Sequence, residues 1–194
     1  MNRDVPRALA DATVLDENKQ VVRLGDVWAK QPVVLTFVRH FGCIFCREHV
    51  IELQKEIAHV HRLGAEIVVV GNGAPHFIKG FRELTGFAGP IYTDPSRKSY
   101  DAAQMKRGWT TFLNPRAVSN ALRALFAGAR QGSVQGDPTQ QGGTLVIAPP
   151  GRVLFHHVSE TAGDHPKPAK LLAVLEAEAA KGAKGANGAL SAAT

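Results

Sequence analysis

Two short apolar runs, residues 33–38 and 65–70, constrain the fold of this chain most. Both are rich in β-branched side chains and almost free of polar ones, which is typical of strands buried on both faces. After each run, apolar residues recur every three or four positions, as on a helix: Val50, Leu53, Ile57 and Val60 after the first, and Phe77, Ile78, Phe81 and Leu84 after the second. This strand–helix alternation predicts a mostly parallel sheet covered on two faces.

Shorter elements are expected on either side of this unit. Turn residues and the spacing of apolar residues predict a pair of extended pieces at residues 13–24, a third strand at 90–93 and a further helix at 94–105. They also predict an antiparallel hairpin at 144–158, which turns at Pro149-Pro150-Gly151, and a closing helix at 168–179. The predicted fold class is therefore α/β, with a central mixed sheet flanked by helices on both faces.

The length of 194 residues suits one compact domain, which we place at residues 1–180. Residues 114–129 have helical spacing with arginines off the apolar side and predict an inserted basic helix. Residues 131–143 are rich in Gly and Gln and predict a long loop. Residues 181–194 lack an apolar period and predict a flexible tail.

Net charge and hydropathy indicate which partners and which compartment to expect. The net charge is +6, but Lys and Arg are scattered along the chain, so a nucleic-acid partner is not expected. The apolar runs are too short to cross a membrane, and the first residues lack the apolar stretch of a secretory signal. We therefore expect a cytoplasmic protein without a membrane partner.

The chain has two cysteines, Cys43 and Cys46, in a C-x-x-C spacing that indicates redox chemistry or metal binding. They follow the predicted strand 33–38 and begin the next helix, where free backbone N–H groups and the helix dipole stabilise a thiolate. Arg39, His40 and Arg47 are expected to add positive charge. We expect Cys43, at an exposed helix tip, to be the nucleophile and Cys46, one turn deeper, to resolve the oxidised product.

Other interpretations of the same residues remain open. The two cysteines could be inert core residues, or a redox sensor without turnover. His40, Cys43, Cys46 and His49 could together hold zinc, although structural zinc sites usually draw their ligands from two separated elements. A c-type haem is not expected, because Arg47 follows Cys46 where the haem motif has His. The Gly71-Asn72-Gly73 segment is interpreted as a simple turn from strand to helix.

Several motifs together resemble the peroxiredoxin-like branch of the alkyl hydroperoxide reductase and thiol-specific antioxidant proteins, a branch that is similar to prostamide and prostaglandin F synthase. They are Phe41 to Arg47, Tyr92-Thr93-Asp94-Pro95 leading to Tyr100, Lys106-Arg107-Gly108, and Gln140 to Thr144 running on through Ser159 to Asp164. The resemblance covers nearly the whole domain.

The resemblance implies a thioredoxin-like fold and a C-x-x-C centre formed by Cys43 and Cys46. It also implies a thioredoxin- or glutathione-type reductant, and the oxidant would be a small hydroperoxide, endoperoxide or disulfide. No cofactor is expected, and a homodimer is the candidate assembly. The predicted substrate-binding residues are Arg39 and Arg47 beside the thiols, with Gly143 and Thr144 where thioredoxins place a cis-proline.

Two positions depart from the Pro-x-x-x-Thr-x-x-Cys loop of true peroxiredoxins, in which the Thr helps orient the peroxide. If Cys46 is aligned with the peroxidatic cysteine, Cys43 stands at the Thr position and Arg39 at the Pro position.

Overall fold

The computed structural model describes residues 3–108 and 135–191. The predicted inserted helix at residues 114–129 and the first residues of the predicted loop, 131–134, lie outside these ranges. The rest of that loop, residues 135–142, contains no helix or strand.

Within the described ranges, eight strands form one mixed sheet in the order β1-β8-β7-β4-β5-β6-β2-β3. The strands are β1 Arg3–Asp4, β2 Thr13–Leu15, β3 Val21–Arg23, β4 Val33–Phe37, β5 Glu66–Gly71, β6 Ile91–Thr93, β7 Gly143–Ala148 and β8 Arg152–Val158. The β4–β5 and β5–β6 pairs are parallel, and the other pairs are antiparallel. The mixed sheet is confirmed. A mostly parallel sheet is wrong, because strand–helix alternation governs only the three central strands and does not predict that β7 pairs with β4.

Six helices lie in the described ranges: α1 Arg7–Ala10, α2 Leu24–Val27, α3 Ile44–Arg62, α4 Phe77–Thr85, α5 Lys98–Ala102 and α6 Pro168–Ser191. Helix α6 continues well past the predicted end at residue 179. Flexibility of residues 181–194 stays a prediction. No helix among the described residues is both long and apolar enough to span a bilayer.

The core forms two layers, one on each face of the sheet, because successive residues of the central strands point to opposite sides. On β4, Val34 faces the layer formed with α3, α4 and α6, whereas Leu35 faces the layer formed with the N-terminal segment and α5. On β5, Val69 and Val70 divide in the same way. Helices therefore cover both faces, as predicted.

The carboxyl ends of β4 and β5 are joined at one edge of the sheet. The buried Tyr100 hydroxyl contacts both the Val38 carbonyl oxygen, at 2.7 Å, and the Val70 carbonyl oxygen, at 3.0 Å. Phe41 packs against Gly71 so closely that a Cβ atom there would collide with its ring. This packing fixes the loop that leaves β4.

Replacing Gly71 by Ala is expected to lower the free energy of unfolding by about 1–3 kcal/mol, because the added methyl group overpacks the Phe41 ring. Gly80 in α4 is the matched control, since a Cβ atom there meets nothing within 4 Å. Gly80→Ala should stabilise the fold by about 0.5–1 kcal/mol. Urea unfolding of both variants measures the difference, and equal effects would contradict the packing argument.

Candidate active site

The loop of residues 39–42 carries the chain from β4 to α3 and brings the two cysteines to the start of the helix. Cys43 is the N-cap residue with an extended backbone (φ −73°, ψ 121°), and Cys46 lies in the first turn. Both are free thiols. The predicted placement of the C-x-x-C pair at a helix N-terminus is confirmed.

The expected exposure of Cys43 is wrong. Its residue surface is 1% exposed, and that of Cys46 is 0% exposed. Arg39 lies beside Cys43, with Nη1 3.8 Å from Sγ, and its Nη2 donates to the Pro138 carbonyl oxygen at 2.7 Å. The helix tip is thus enclosed by a side chain from its own loop and by a segment about a hundred residues further along the chain.

The two thiols differ in acidity because they share one hydrogen bond. The Cys46 thiol donates to the Cys43 sulfur, and this bond, followed by the Arg39 charge, lowers the pKa of Cys43 although burial opposes the shift. The N–H groups of Phe45 and Cys46 act in the same direction. Burial raises the pKa of Cys46 well above its ordinary value, and its bond to Cys43 raises it further. Near pH 7 these shifts favour a Cys43 thiolate beside a Cys46 thiol.

The three basic residues that were expected to favour a thiolate have different roles. Arg39 contacts both sulfurs, since its backbone N–H also donates to Cys46 Sγ at 3.3 Å. Arg47 is partly exposed, and its Nε donates to the Phe41 carbonyl oxygen at 3.2 Å. The predicted charge on His40 is wrong: burial, followed by the charges of Arg39 and Arg47, lowers the pKa of His40 to about 4, so the ring is neutral near pH 7.

Gly143 and Thr144 lie in the β4–β7 ladder, where they pair with Phe37 and Thr36. Thr144 is buried, with Oγ1 3.4 Å from Thr36 Oγ1. A Cβ atom at Gly143 would collide with the His157 carbonyl oxygen and the Met105 sulfur. The two residues adjoin the end of β4, and their role in substrate binding stays a prediction.

The zinc interpretation gains no support from the geometry. Among the described residues, no group of three or more His, Cys, Asp or Glu side chains is arranged to hold a metal ion. His49 instead stacks on His165, with the ring centroids 4.5 Å apart and the planes inclined by 9°.

Asn72 belongs to this site although its motif is interpreted above as a simple turn. Its side chain is buried and contacts the Arg39 carbonyl oxygen and the backbone of Asp137. The sequence signal for such a residue is an amide side chain between two glycines. It directly follows β5, the strand that pairs with β4 before the cysteines.

Acid is expected to destabilise the fold through His40. The unfolded chain binds a proton on this ring below about pH 6.5, whereas the folded chain does so only near pH 4. The contribution of this residue to the free energy of unfolding is therefore complete above about pH 6.5. It falls by about 3 kcal/mol as the pH drops toward 4. Burial also lowers the pKa of His165 to about 4, so a second loss occurs in the same window.

Urea unfolding at about pH 7 and about pH 4 measures the loss. His40→Gln should show a smaller loss than the wild type, while His76→Gln, at an exposed position, should show the full one. An undiminished loss in His40→Gln would contradict the assignment.

Comparison with solved structures shows the fold. The chain resembles the peroxidoxin BcpB of Mycobacterium tuberculosis with a TM-score of 0.66 and 20% sequence identity, over 91% of this chain and 96% of that one. It also resembles the bacterioferritin comigratory protein of Xanthomonas campestris with a TM-score of 0.63 and 17% identity, over 91% and 97% of the two chains. The architecture is therefore the thioredoxin-like fold of peroxiredoxins.

Comparison of sequences shows the family. The family model described as AhpC/TSA antioxidant enzyme matches residues 52–161, a range that begins after the two cysteines. The human protein named peroxiredoxin-like 2C is 34% identical over 169 residues, which are 81% of this chain and 74% of that protein. The prostamide/prostaglandin F synthase of Salmo salar is 33% identical over 149 residues, 74% of each chain. The chain belongs to the AhpC/TSA antioxidant enzyme family and is a peroxiredoxin-like oxidoreductase.

Proposed function

We propose that this protein is a thiol-dependent oxidoreductase that reduces a hydroperoxide, an endoperoxide or a disulfide through Cys43 and Cys46. The observation that carries the proposal is the arrangement of Arg39, Cys43 and Cys46, in which one cation and one shared hydrogen bond lower the pKa of Cys43 while that of Cys46 is raised. A thiolate and a proton-bearing thiol on one helical turn are the two groups that a dithiol reductant needs.

For a hydroperoxide, the Cys43 thiolate attacks one oxygen of the O–O bond. That bond breaks, the other oxygen leaves as an alcohol after taking up a proton, and Cys43 becomes a sulfenic acid. Cys46 then attacks the Cys43 sulfur, which forms the intramolecular disulfide and releases water. The peroxide has gained two electrons, and the two thiols have lost them.

For a disulfide substrate, the Cys43 thiolate forms a mixed disulfide and releases one thiol, and Cys46 displaces the other. In either case an external dithiol, or two molecules of a monothiol, returns Cys43 and Cys46 to the reduced state by exchange. A thioredoxin- or glutathione-type reductant supplies these electrons in our proposal, and the reducing cytoplasm is the compartment in which the cycle would operate.

The burial of both sulfurs favours a small substrate. Cys43 and Arg39 are both buried, so a small hydroperoxide would need less displacement of the surrounding residues to reach Cys43 than a folded protein disulfide would. Arg47, which is partly exposed at the same helix start, is the residue we propose to attract an anionic substrate. The names of the relatives, peroxiredoxin-like 2C and prostamide/prostaglandin F synthase, agree with a small oxidised molecule.

A redox sensor is the second candidate, and the same burial favours it. Oxidation of Cys43 would remove the negative charge that faces Arg39, and Arg39 holds the Pro138 carbonyl oxygen. A change in the thiols would therefore reach the surface segment that contains Pro138. Turnover under a supply of reductant separates the candidates, because a sensor is oxidised only once.

Replacing Cys43 by Ser is expected to abolish turnover while the fold remains, since the hydroxyl keeps the size of the thiol but is not ionised near pH 7. Cys46→Ser is the matched variant: it should allow Cys43 to react once and then stall before the intramolecular disulfide forms. Peroxide consumption and mass spectrometry of the protein measure the two outcomes.

If Cys43→Ser retained the wild-type rate with both peroxide and disulfide substrates, Cys43 would not be the nucleophile. Turnover by Cys46→Ser at the wild-type rate would likewise remove Cys46 from the cycle.

Arg39→Met is expected to raise the pKa of the Cys43 thiol, because the nearby cation is lost from a buried site. The reaction rate near pH 7 should fall by about tenfold for each unit by which the pKa comes to exceed the pH, and it should recover in more alkaline buffer. The exposed Arg7 supplies the control variant, Arg7→Met, which should keep the wild-type pH–rate profile. A profile for Arg39→Met that matches the wild type would refute the role of the guanidinium.

A further inference from the structure

The Asn72 side chain joins two backbone segments that are far apart in sequence. Its Nδ2 donates to the Arg39 carbonyl oxygen at 2.6 Å, and its Oδ1 accepts from the Asp137 N–H at 2.8 Å. The residue is 4% exposed, so both bonds are shielded from water. Gly136 packs against the same amide, since a Cβ atom there would collide with Oδ1.

Both segments belong to the surroundings of the two sulfurs: one contains Arg39, and the other contains Pro138, which contacts the Arg39 guanidinium. The Arg39 residue itself donates its backbone N–H to Cys46 and its guanidinium to Cys43, while the guanidinium is oriented by the Pro138 carbonyl oxygen. Asn72 thus binds the backbone of Arg39 on one side. On the other side it binds the residue directly before Pro138.

We propose that Asn72 is a positioning residue for the redox centre, which acts by fixing Arg39 against the Cys43 and Cys46 sulfurs. This inference rests on the proposed function, in which Arg39 stabilises the reactive thiolate. An amide suits the position because it presents a donor and an acceptor at once, whereas a carboxylate would set an acceptor against the Arg39 carbonyl oxygen.

The distance between Arg39 and Cys43 makes their interaction sensitive to this positioning. At 3.8 Å the Nη1–Sγ contact is near the outer limit for a hydrogen bond to sulfur, so a small displacement breaks it. The interaction of a cation with a thiolate in a buried site is strong because water does not screen it. Loss of Asn72 should therefore change the acidity of Cys43 even though Asn72 touches neither sulfur in the contacts described above.

The contact between Asp137 and two arginines provides a separate test of the same segment. The Asp137 carboxylate lies 2.8 Å from Arg107 Nη2 and 3.5 Å from Arg97 Nη1. Asp137→Asn weakens these ion pairs but keeps the backbone N–H that Asn72 binds. It therefore changes the charge at the surface of this segment while the backbone contact with Asn72 is kept.

The experiment measures the pKa of the first thiol to ionise, by thiolate absorbance in the fully reduced wild type and in Asn72→Leu, a variant of similar size without hydrogen-bonding atoms. We expect this pKa to rise by roughly one unit. The rate near pH 7 should fall by up to about tenfold and recover at higher pH. Asn72→Ser removes the same pair of contacts with a smaller side chain and should give the same shift if the Leu variant does not fold.

Two control variants separate positioning from general support of the loop. Thr93→Val removes a hydroxyl that donates to the carbonyl oxygens of Gly71 and Gly73, on either side of Asn72. This variant should be less stable while its thiol pKa stays near the wild-type value, and Asp137→Asn should also keep that pKa. The inference is overturned if the Asn72 variants keep the wild-type pKa, or if Thr93→Val raises it by as much.

The readout is independent of turnover. If the wild-type protein reduced no peroxide and no disulfide, the proposed function would be wrong, but the comparison of pKa values would still decide the role of Asn72. An unchanged pKa in an Asn72 variant would remove this inference and leave the proposed function standing.

Discussion

Arg39 contacts both cysteine sulfurs, and the local structure is organised around that contact. Its N–H, two residues after the end of β4, donates to Cys46 Sγ. Its guanidinium lies beside Cys43 through Nη1 and donates to the Pro138 carbonyl oxygen through Nη2. A buried cation is costly unless it is paired and hydrogen-bonded. The thiolate and the carbonyl supply these partners, so the cation that lowers the pKa of Cys43 is itself stabilised by the charge it creates.

The sequence predicted what depends on local patterning. The apolar runs at residues 33–38 and 65–70 became the central strands, and the spacing after Cys43 became α3. The burial of Cys43 and the neutral state of His40 could not be predicted in this way. Both follow from burial, and residues about a hundred positions away pack against this loop: Arg39 donates to the Pro138 carbonyl oxygen, and Gly136 lies against His40. A local pattern carries no information about which distant segment covers a helix N-terminus. The role of Asn72 could not be predicted for the same reason, because its partners, Arg39 and Asp137, are distant in the sequence.

The departures from the peroxiredoxin pattern have a common physical meaning in the proposed mechanism. If Cys46 is aligned with the reactive cysteine of true peroxiredoxins, Cys43 stands where those proteins have the Thr that helps orient the peroxide. Here the lowered pKa belongs to Cys43, and Cys46 bears the proton. In that alignment, our proposed nucleophile lies about one helical turn closer to the N-cap, where the free N–H groups of the first turn favour negative charge.

The coupling between the two thiols also orders the steps of the proposed cycle. Burial raises the pKa of Cys46 most. While Cys43 is a thiolate, the hydrogen bond it accepts and its charge raise that pKa further, so Cys46 does not compete for the substrate. Once Cys43 is oxidised to a neutral sulfenic acid or a mixed disulfide, both effects disappear. The remaining influences that lower the pKa of Cys46 are the Arg39 N–H and the Arg39 charge. Arg39, which first stabilises the Cys43 thiolate, can then stabilise the thiolate form of Cys46. The resolving thiol therefore becomes more acidic at the step in which it attacks Cys43.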